Sequence, residues 1–455
     1  MALFSILVLG LFLRILNINE SFWLDEATSG LVVRNFDLSG ILYQFLPGDF
    51  HPPLYYFTLK GWSEIFGFRE IALRSMSLVF GLLTIWFVYK TVFTLFGKAT
   101  GLLAALFLAI NPIHVYYSTE ARMYSMLTFF VVLSFFFFTK LIQEKKQSII
   151  LWAGYSLSLL FIVMTDYVGV FVMPVYLLVA AMFKKDRQFW TKLILAYLPL
   201  FIVFILYKDI FWQQLQSGLG VKTAASGWWQ ILGQPSLKNI ILIPTKFMLG
   251  RINYDSRAVY AFWIFVSALL WLIPIYFALK KEKRTKIFLI WGTLPILFSL
   301  VVGFFIPVVV YFRLLFVLPG ILILVAIGSE KLSQNLFLPF LVVFLLINIM
   351  FNYRYFTNPR FHREDWRSFA QFVSDDSELV YVANSQKEGI VYYKPEQEIS
   401  YYPEIKFTKE KILLMRYVAD IFDPEDKARQ MVEDRGFLKI AEHDFNGIVV
   451  WEYEK

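Results

Sequence analysis

The sequence predicts an all-α polytopic membrane protein of about eleven transmembrane helices, followed by a small C-terminal α/β domain. Three observations lead there. Hydrophobic residues are 58% of the 455-residue chain and charged residues only 17%, with a mean hydropathy of +0.59, which is not a water-soluble mix. Charge-poor runs recur, each near the roughly 20 residues that cross a hydrocarbon core as a helix, and they do not alternate as barrel strands would. From about Asn358 the runs stop and short strand-like segments begin.

The expected spans are 2–18, 72–95, 99–115, 122–141, 148–165, 167–183, 189–210, 256–279, 286–309, 312–329 and 335–352. The first lacks a basic leader and a small-residue cleavage site, so it reads as a retained span. Basic residues fall in alternate loops: Lys98; Lys140, Lys145 and Lys146; Lys184, Lys185 and Arg187; Lys280, Lys281, Lys283, Arg284 and Lys286; Lys331. A face that collects such loops is cytoplasmic. The N-terminus is then expected in the cytoplasm and the tail outside the plasma membrane. The net charge of +8 is spent on these loops rather than on a patch, which argues against nucleic acid. With no cysteine, disulfides and thiolate-metal sites are excluded.

This divides the chain into a membrane domain, 1–355, and a soluble α/β domain, 356–455. Two long outer loops are expected, 19–71 and 211–255. In the first, Leu54–Phe66 suits a helix lying in the interface. The second carries Trp212, Trp228 and Trp229 with Lys222, Lys238, Lys246 and Arg251, a headgroup-level composition. In the tail, Leu379–Ala383, Gly389–Tyr393, Ile412–Tyr417 and Gly447–Tyr453 read as strands and Pro424–Arg435 as a helix.

Polar residues that a plain bundle does not need gather at the outer ends of spans. Asp25 and Glu26 follow the first span, where carboxylates are costly unless water or partners reach them; one there can act as a general base. A solvated interfacial loop is the plainer reading. His51-Pro52-Pro53 makes a rigid entry to Leu54–Phe66, and the prolines need no other explanation, but the imidazole does. Glu120 and Arg122 enter the fourth span behind a tyrosine belt. Asp166 and Tyr167 link the fifth and sixth spans, and Arg313 opens the tenth, where it either snorkels or pairs with a phosphate. All lie on one side, which points to a single site at the outer boundary.

The ordered runs Leu13-Arg14 … Ser21-Phe22-Trp23-Leu24-Asp25-Glu26-Ala27, His51-Pro-Pro-Leu-Tyr-Tyr and Asn111-Pro112 … Ser118-Thr119-Glu120-Ala121-Arg122-Met123-Tyr124 resemble the GT-C glycosyltransferases. The nearest branch is that of bacterial relatives of protein O-mannosyltransferases and lipid A aminoarabinose transferases (glycosyltransferase family 39-like). The resemblance covers the first seven spans and weakens after about residue 210, although Tyr311-Phe312-Arg313 and Arg363-Glu364-Asp365-Trp366-Arg367 look like late segments of such proteins. It implies sugar transfer from a polyprenyl-phosphate donor to an acceptor lipid, glycan or protein. Asp25 would be the catalytic base and Glu26 its neighbour. Arg122 and Arg313 would face the lipid phosphate, with His51, Glu120, Tyr124, Asp166 and Tyr167 binding substrate. Glu120 and His51 are also the candidates for a divalent metal ion. Some relatives have Glu-Lys-Pro where this chain has His51-Pro52-Pro53, so a lysine–phosphate contact does not transfer.

The chemistry stands without the family. A lipid phosphate leaves as a stable anion and needs no general acid, so one base and phosphate-stabilising cations suffice. The rival reading, a transporter or flippase for lipid-linked sugars, calls for midplane charges, broken helices or inverted repeats. The sequence shows no repeat.

Overall fold

The computed structural model describes residues 1–144, 147–183, 185–224 and 233–455. Lys145, Lys146, Lys184, Trp228 and Trp229, on which the loop readings partly rest, lie outside the described residues.

Among the described residues, the regular elements of the membrane domain are all helices. In chain order come α1 (Ala2–Ile15), α2 (Leu24–Asn35), α3 (Leu54–Phe66), α4 (Glu70–Phe96), α5 (Lys98–Ile110), α6 (Pro112–Tyr117), α7 (Tyr124–Gln143), α8 (Ile149–Thr165) and α9 (Met173–Met182). Then follow α10 (Arg187–Leu195), α11 (Leu198–Ala224), α12 (Leu237–Leu249), α13 (Arg257–Lys281), α14 (Lys286–Gly303), α15 (Leu318–Ser329) and α16 (Gln334–Thr357). Among the described residues, six helical segments are long and apolar enough to cross a membrane: Glu70–Phe96, Tyr124–Gln143, Arg187–Lys222, Arg257–Lys281, Lys286–Gly303 and Gln334–Thr357. The other expected spans fall on the shorter apolar helices Ala2–Ile15, Lys98–Ile110, Ile149–Thr165, Tyr167–Met182 and Leu315–Ser329. The chain is thus a multi-pass helical membrane protein with a small C-terminal sheet.

Burial ranks the spans. The apolar stretch of α7 is 78% buried and forms the centre of the bundle, whereas those of α13 and α16 are 22% buried and present apolar faces outward, as lipid contact requires. Large rings lock the centre: Phe135 stacks on Trp291 at 3.8 Å, and the Trp291 indole donates to the Phe316 carbonyl at 3.0 Å. Near one end of the bundle, Leu95, Gln143, Phe183 and Arg284 line one cavity, and Lys185 and Lys281 cap the Ile142 and Lys331 carbonyls. The basic loops therefore share an end.

Both long loops expected outside hold more helix than the sequence predicts. Segment 19–71 contains α2 and α3, the latter with the expected bounds. In the second, α11 runs on through 211–224, where no proline stops it although Gly218 and Gly220 lower its helix propensity.

The tail is a five-stranded sheet of β1 (Ser377–Tyr381), β2 (Ile399–Tyr401), β3 (Lys411–Met415), β4 (Leu438–Asp444) and β5 (Val449–Glu454), in the order β2-β1-β3-β5-β4. Strands β2, β1 and β3 are parallel, and β5 joins them antiparallel. Around it lie α17 (Trp366–Phe372), α18 (Lys387–Tyr393) and α19 (Lys427–Glu433). Three expected strands and the polar helix are present. The fourth expected strand, Gly389–Tyr393, is helix α18: a five-residue apolar run has no periodicity to separate the two states, and packing decides.

That packing docks the tail onto the first outer loop. The Tyr392 ring meets Phe22 edge-on at 5.1 Å and lies under the Arg34 guanidinium at 4.2 Å. The Tyr393 hydroxyl donates to Glu70 at 2.7 Å and accepts from the Phe22 amide at 2.8 Å. Within the tail, α18 packs closely on α17 because Gly389 lies against the buried Trp366, where a β-carbon would be 2.2 Å from the ring. Gly389→Ala should overpack this contact at a cost of about 1–3 kcal/mol, and limited proteolysis should then clip the tail faster than in wild type. Unchanged cleavage would show that α18 does not hold the tail.

Candidate functional site

The sequence-selected residues converge at the end opposite the basic loops. Asp25 sits in the first turn of α2, where the helix dipole favours a carboxylate, and its side chain is 40% exposed. Arg122 reaches it across 3.6 Å and also donates to the Asp25 carbonyl and Ser29 hydroxyl at 3.5 and 3.3 Å. Arg122 is itself buried, and its Nε has no hydrogen-bond partner. The Tyr124 hydroxyl lies within electrostatic reach of Arg122, Glu120, Asp25 and Arg313, so these five side chains form one group. Arg313 also donates to the Pro307 carbonyl at 2.7 Å, which anchors it.

A second group adjoins the first. His51 Nδ1 stands 3.3 Å from Asp49 Oδ2, and the Tyr56 hydroxyl donates to the same oxygen at 2.9 Å. Burial alone would raise the Asp49 pKa; His51 beside it, with help from Arg122, holds it below its ordinary value. Gln214 on α11 donates to the His51 carbonyl at 2.7 Å and accepts from Tyr167 at 2.5 Å, tying α11 and the α8–α9 link to the His51 loop. Asp166 caps the turn Tyr167–Val172 through Oδ1, while its buried Oδ2 has no partner.

Glu26 plays a different part from its neighbour. It is fully buried and gripped by Arg74, Nε to Oε1 at 2.8 Å and Nη2 to Oε2 at 2.5 Å, while the Ala121 amide donates to Oε1 at 2.7 Å. Burial would raise its pKa, but the Arg74 and Arg363 guanidiniums hold it below the ordinary range. With both oxygens engaged, Glu26 ties the Ala121–Arg122 loop to α2 and is not free to take a proton from substrate. The expectation of a second catalytic carboxylate there does not fit this geometry.

Glu120 lies 3.7 Å from Arg363, and its other oxygen is unpartnered. Burial pushes its pKa up to about 7 against the pull of Arg363, Arg251 and Arg122. Three guanidiniums around it oppose a divalent cation, and His51 belongs to the other group. Among the described residues no three His, Asp or Glu side chains gather as a metal site.

Sequence reasoning passed over several members of the site. Arg74 carries no signal beyond a cation at a span boundary. Lys246 and Arg251 read as loop basics; in the structure they line a cavity of about 410 Å³ with Lys238, Asn253, Tyr311 and Arg360, the last paired with Asp255 at 2.6 Å, and no carboxylate among the described residues lines it. Arg251 lies over the Tyr116 ring at 5.0 Å and donates to the Tyr311 hydroxyl at 3.3 Å. Burial and Arg251 pull the Lys246 pKa down to about 7, a state that an incoming anion would reverse.

The fold has counterparts among known proteins. The family model for dolichyl-phosphate-mannose-protein mannosyltransferase matches residues 50–212. No curated protein matches the chain. Among solved structures, ArnT from Cupriavidus metallidurans bound to undecaprenyl phosphate superposes with a TM-score of 0.61 at 14% identity, covering 98% of this chain and 97% of that one. The apo form gives 0.57 at 12% identity, over 99% and 97%. AglB, the oligosaccharyltransferase of Archaeoglobus fulgidus, in complex with an inhibitory peptide and a dolichol-phosphate, gives 0.53 at 12% identity, over 99% and 73%. Residues 50–212 are thus similar to that mannosyltransferase family, and the chain as a whole shares the fold of these solved glycosyltransferase structures.

Proposed function

We propose that the protein transfers a sugar from a polyprenyl-phosphate carrier to an acceptor hydroxyl or amine at the extracytoplasmic face of the plasma membrane, with inversion at the anomeric carbon. One observation carries the reading. An accessible carboxylate, Asp25, held by Arg122, is joined through Glu120 and Arg251 to a cationic cavity that no carboxylate among the described residues lines.

Asp25 takes the proton of the attacking acceptor group, and Arg122 orients it. The cavity receives the departing phosphate: Arg251 offers a planar fork of donors, Arg360 stands at the edge paired with Asp255, and Lys246 regains its proton as the anion arrives. Tyr124 and Arg313 border the reacting centre, and Asp49, His51, Asp166 and Tyr167 offer the hydroxyl, imidazole and carboxylate groups that a sugar needs. The acceptor is a lipid, a glycan or a protein. Eleven spans, with the gathered basic loops facing the cytoplasm, leave the tail outside beside the site.

Binding of labelled undecaprenyl phosphate to purified protein tests the donor class. Wild type should bind it, and Arg251→Met should weaken binding by about tenfold or more, the worth of one charge-assisted hydrogen bond. Failure of wild type to bind any polyprenyl phosphate would remove the donor assignment. Equal binding by both would remove the cavity from it.

A further inference from the structure

Arg363 belongs to the tail by its backbone and to the membrane domain by its side chain. The tail's β4–β5 turn holds the segment: Asn446 donates to the Arg363 carbonyl at 2.6 Å, and the Asp365 amide donates to Phe445 at 3.0 Å. The guanidinium points the other way, into the membrane domain, with only 1% of its side chain exposed. It meets three carboxylates there, Glu20 at 3.3 Å, Glu26 at 3.6 Å and Glu120 at 3.7 Å. It also donates to the Tyr116 carbonyl at 3.2 Å and lies over the Tyr116 ring at 4.3 Å.

The three carboxylates depend on it unequally. Glu26 keeps Arg74 whatever happens to the tail. Glu120 has an ion-pair contact with no cation but Arg363 among the described residues; Arg122 and Arg251 act on it from further away. The same two acids frame the loop that carries Arg122. Glu26 accepts from the Ala121 amide, and the Arg122 amide donates to the Glu120 carbonyl at 2.8 Å. Arg122 in turn holds Asp25.

We propose that Arg363 is a positioning residue through which docking of the C-terminal domain completes the site. It pairs with Glu120 and Glu26 at once, fixes the Glu120–Arg122 loop, and so sets Arg122 on Asp25. The proposal rests on the reading of Asp25 as the base. It assigns the tail a role in assembling the site rather than only in covering it.

The charged and titratable groups facing Glu120 are few enough to predict the outcome. Arg363, Arg251 and Arg122 favour its ionised form and Glu26 disfavours it. The phenols of Tyr55, Tyr116, Tyr117 and Tyr124 surround it and stay neutral at ordinary pH. Without Arg363, burial and Glu26 dominate, and Glu120 holds its proton to higher pH.

Infrared titration of the buried carboxyl band reads this directly, with the band assigned by its loss in Glu120→Gln. In the full-length protein it should titrate near neutral pH. In Arg363→Gln the midpoint should rise by about one pH unit or more, as expected when a close cation is removed. Transfer from a labelled polyprenyl-phosphate sugar, followed in parallel, should show its acid limb displaced the same way, with activity partly recovered at high pH. Should Arg363→Gln not fold, Arg363→Lys takes its place, with a smaller shift in the same direction. A band that titrates as in wild type, in whichever variant folds, overturns the proposal. The infrared result does not depend on turnover, so absence of transfer by wild type would count against the proposed function alone.

Discussion

Asp25→Asn should lower transfer by about a thousandfold, within the range a general base contributes, and leave the fold intact. The amide keeps the size of the carboxylate and a carbonyl oxygen for Arg122 but cannot accept the acceptor's proton. The side chain is 40% exposed and its contact with Arg122 is 3.6 Å long, so little packing is at stake. Unfolding temperature and binding of the lipid phosphate should therefore match wild type. A similar loss of stability would instead make Asp25 a structural residue. The expectation also separates an enzyme from a transporter of lipid-linked sugars, which would need no base.

Glu26 should behave in the opposite way, although it is the next residue. Glu26→Gln leaves Arg74 buried with an amide where a carboxylate neutralised it, and breaking a buried pair costs about 3–5 kcal/mol. Arg74→Met should cost more. It strands the Glu26 charge and also removes the donors that serve the Ile18, Glu20 and Ser21 carbonyls at 3.0, 2.5 and 2.8 Å. Both variants should unfold at lower temperature in detergent, by roughly 5 °C or more. Any activity lost should track the folded fraction. A Glu26→Gln protein as stable as wild type but inactive would restore Glu26 as a catalytic group and contradict the geometry.

The contrast between these neighbours shows where sequence reading stops. Spans were legible because length and absence of charge follow from the thickness of the hydrocarbon core. The site was legible as a set because unneeded polar residues at span ends stand out against an apolar background, and Asp25, His51, Glu120, Arg122, Tyr124, Asp166, Tyr167 and Arg313 do lie in two adjoining groups. Their division of labour was not legible. Asp25 and Glu26 look alike in sequence, and what separates them is Arg74, 48 residues away, and Arg363 in another domain. The cationic cavity was hidden for the same reason: Lys246 and Arg251 come from one segment, Tyr311 and Arg360 from two others. Helix α18 was misread because Gly389 matters through its contact with Trp366 and not through any local preference. Local physics sets the elements, whereas long-range pairing sets the chemistry.

The central claim is that this membrane domain uses a lipid-borne sugar and Asp25 to glycosylate an acceptor. The most direct test is transfer from a panel of radiolabelled polyprenyl-phosphate sugars by purified wild type beside Asp25→Asn, with a membrane extract as acceptor. Wild type should give labelled product and released polyprenyl phosphate, and Asp25→Asn only trace product. Equal product from the two proteins would contradict the claim.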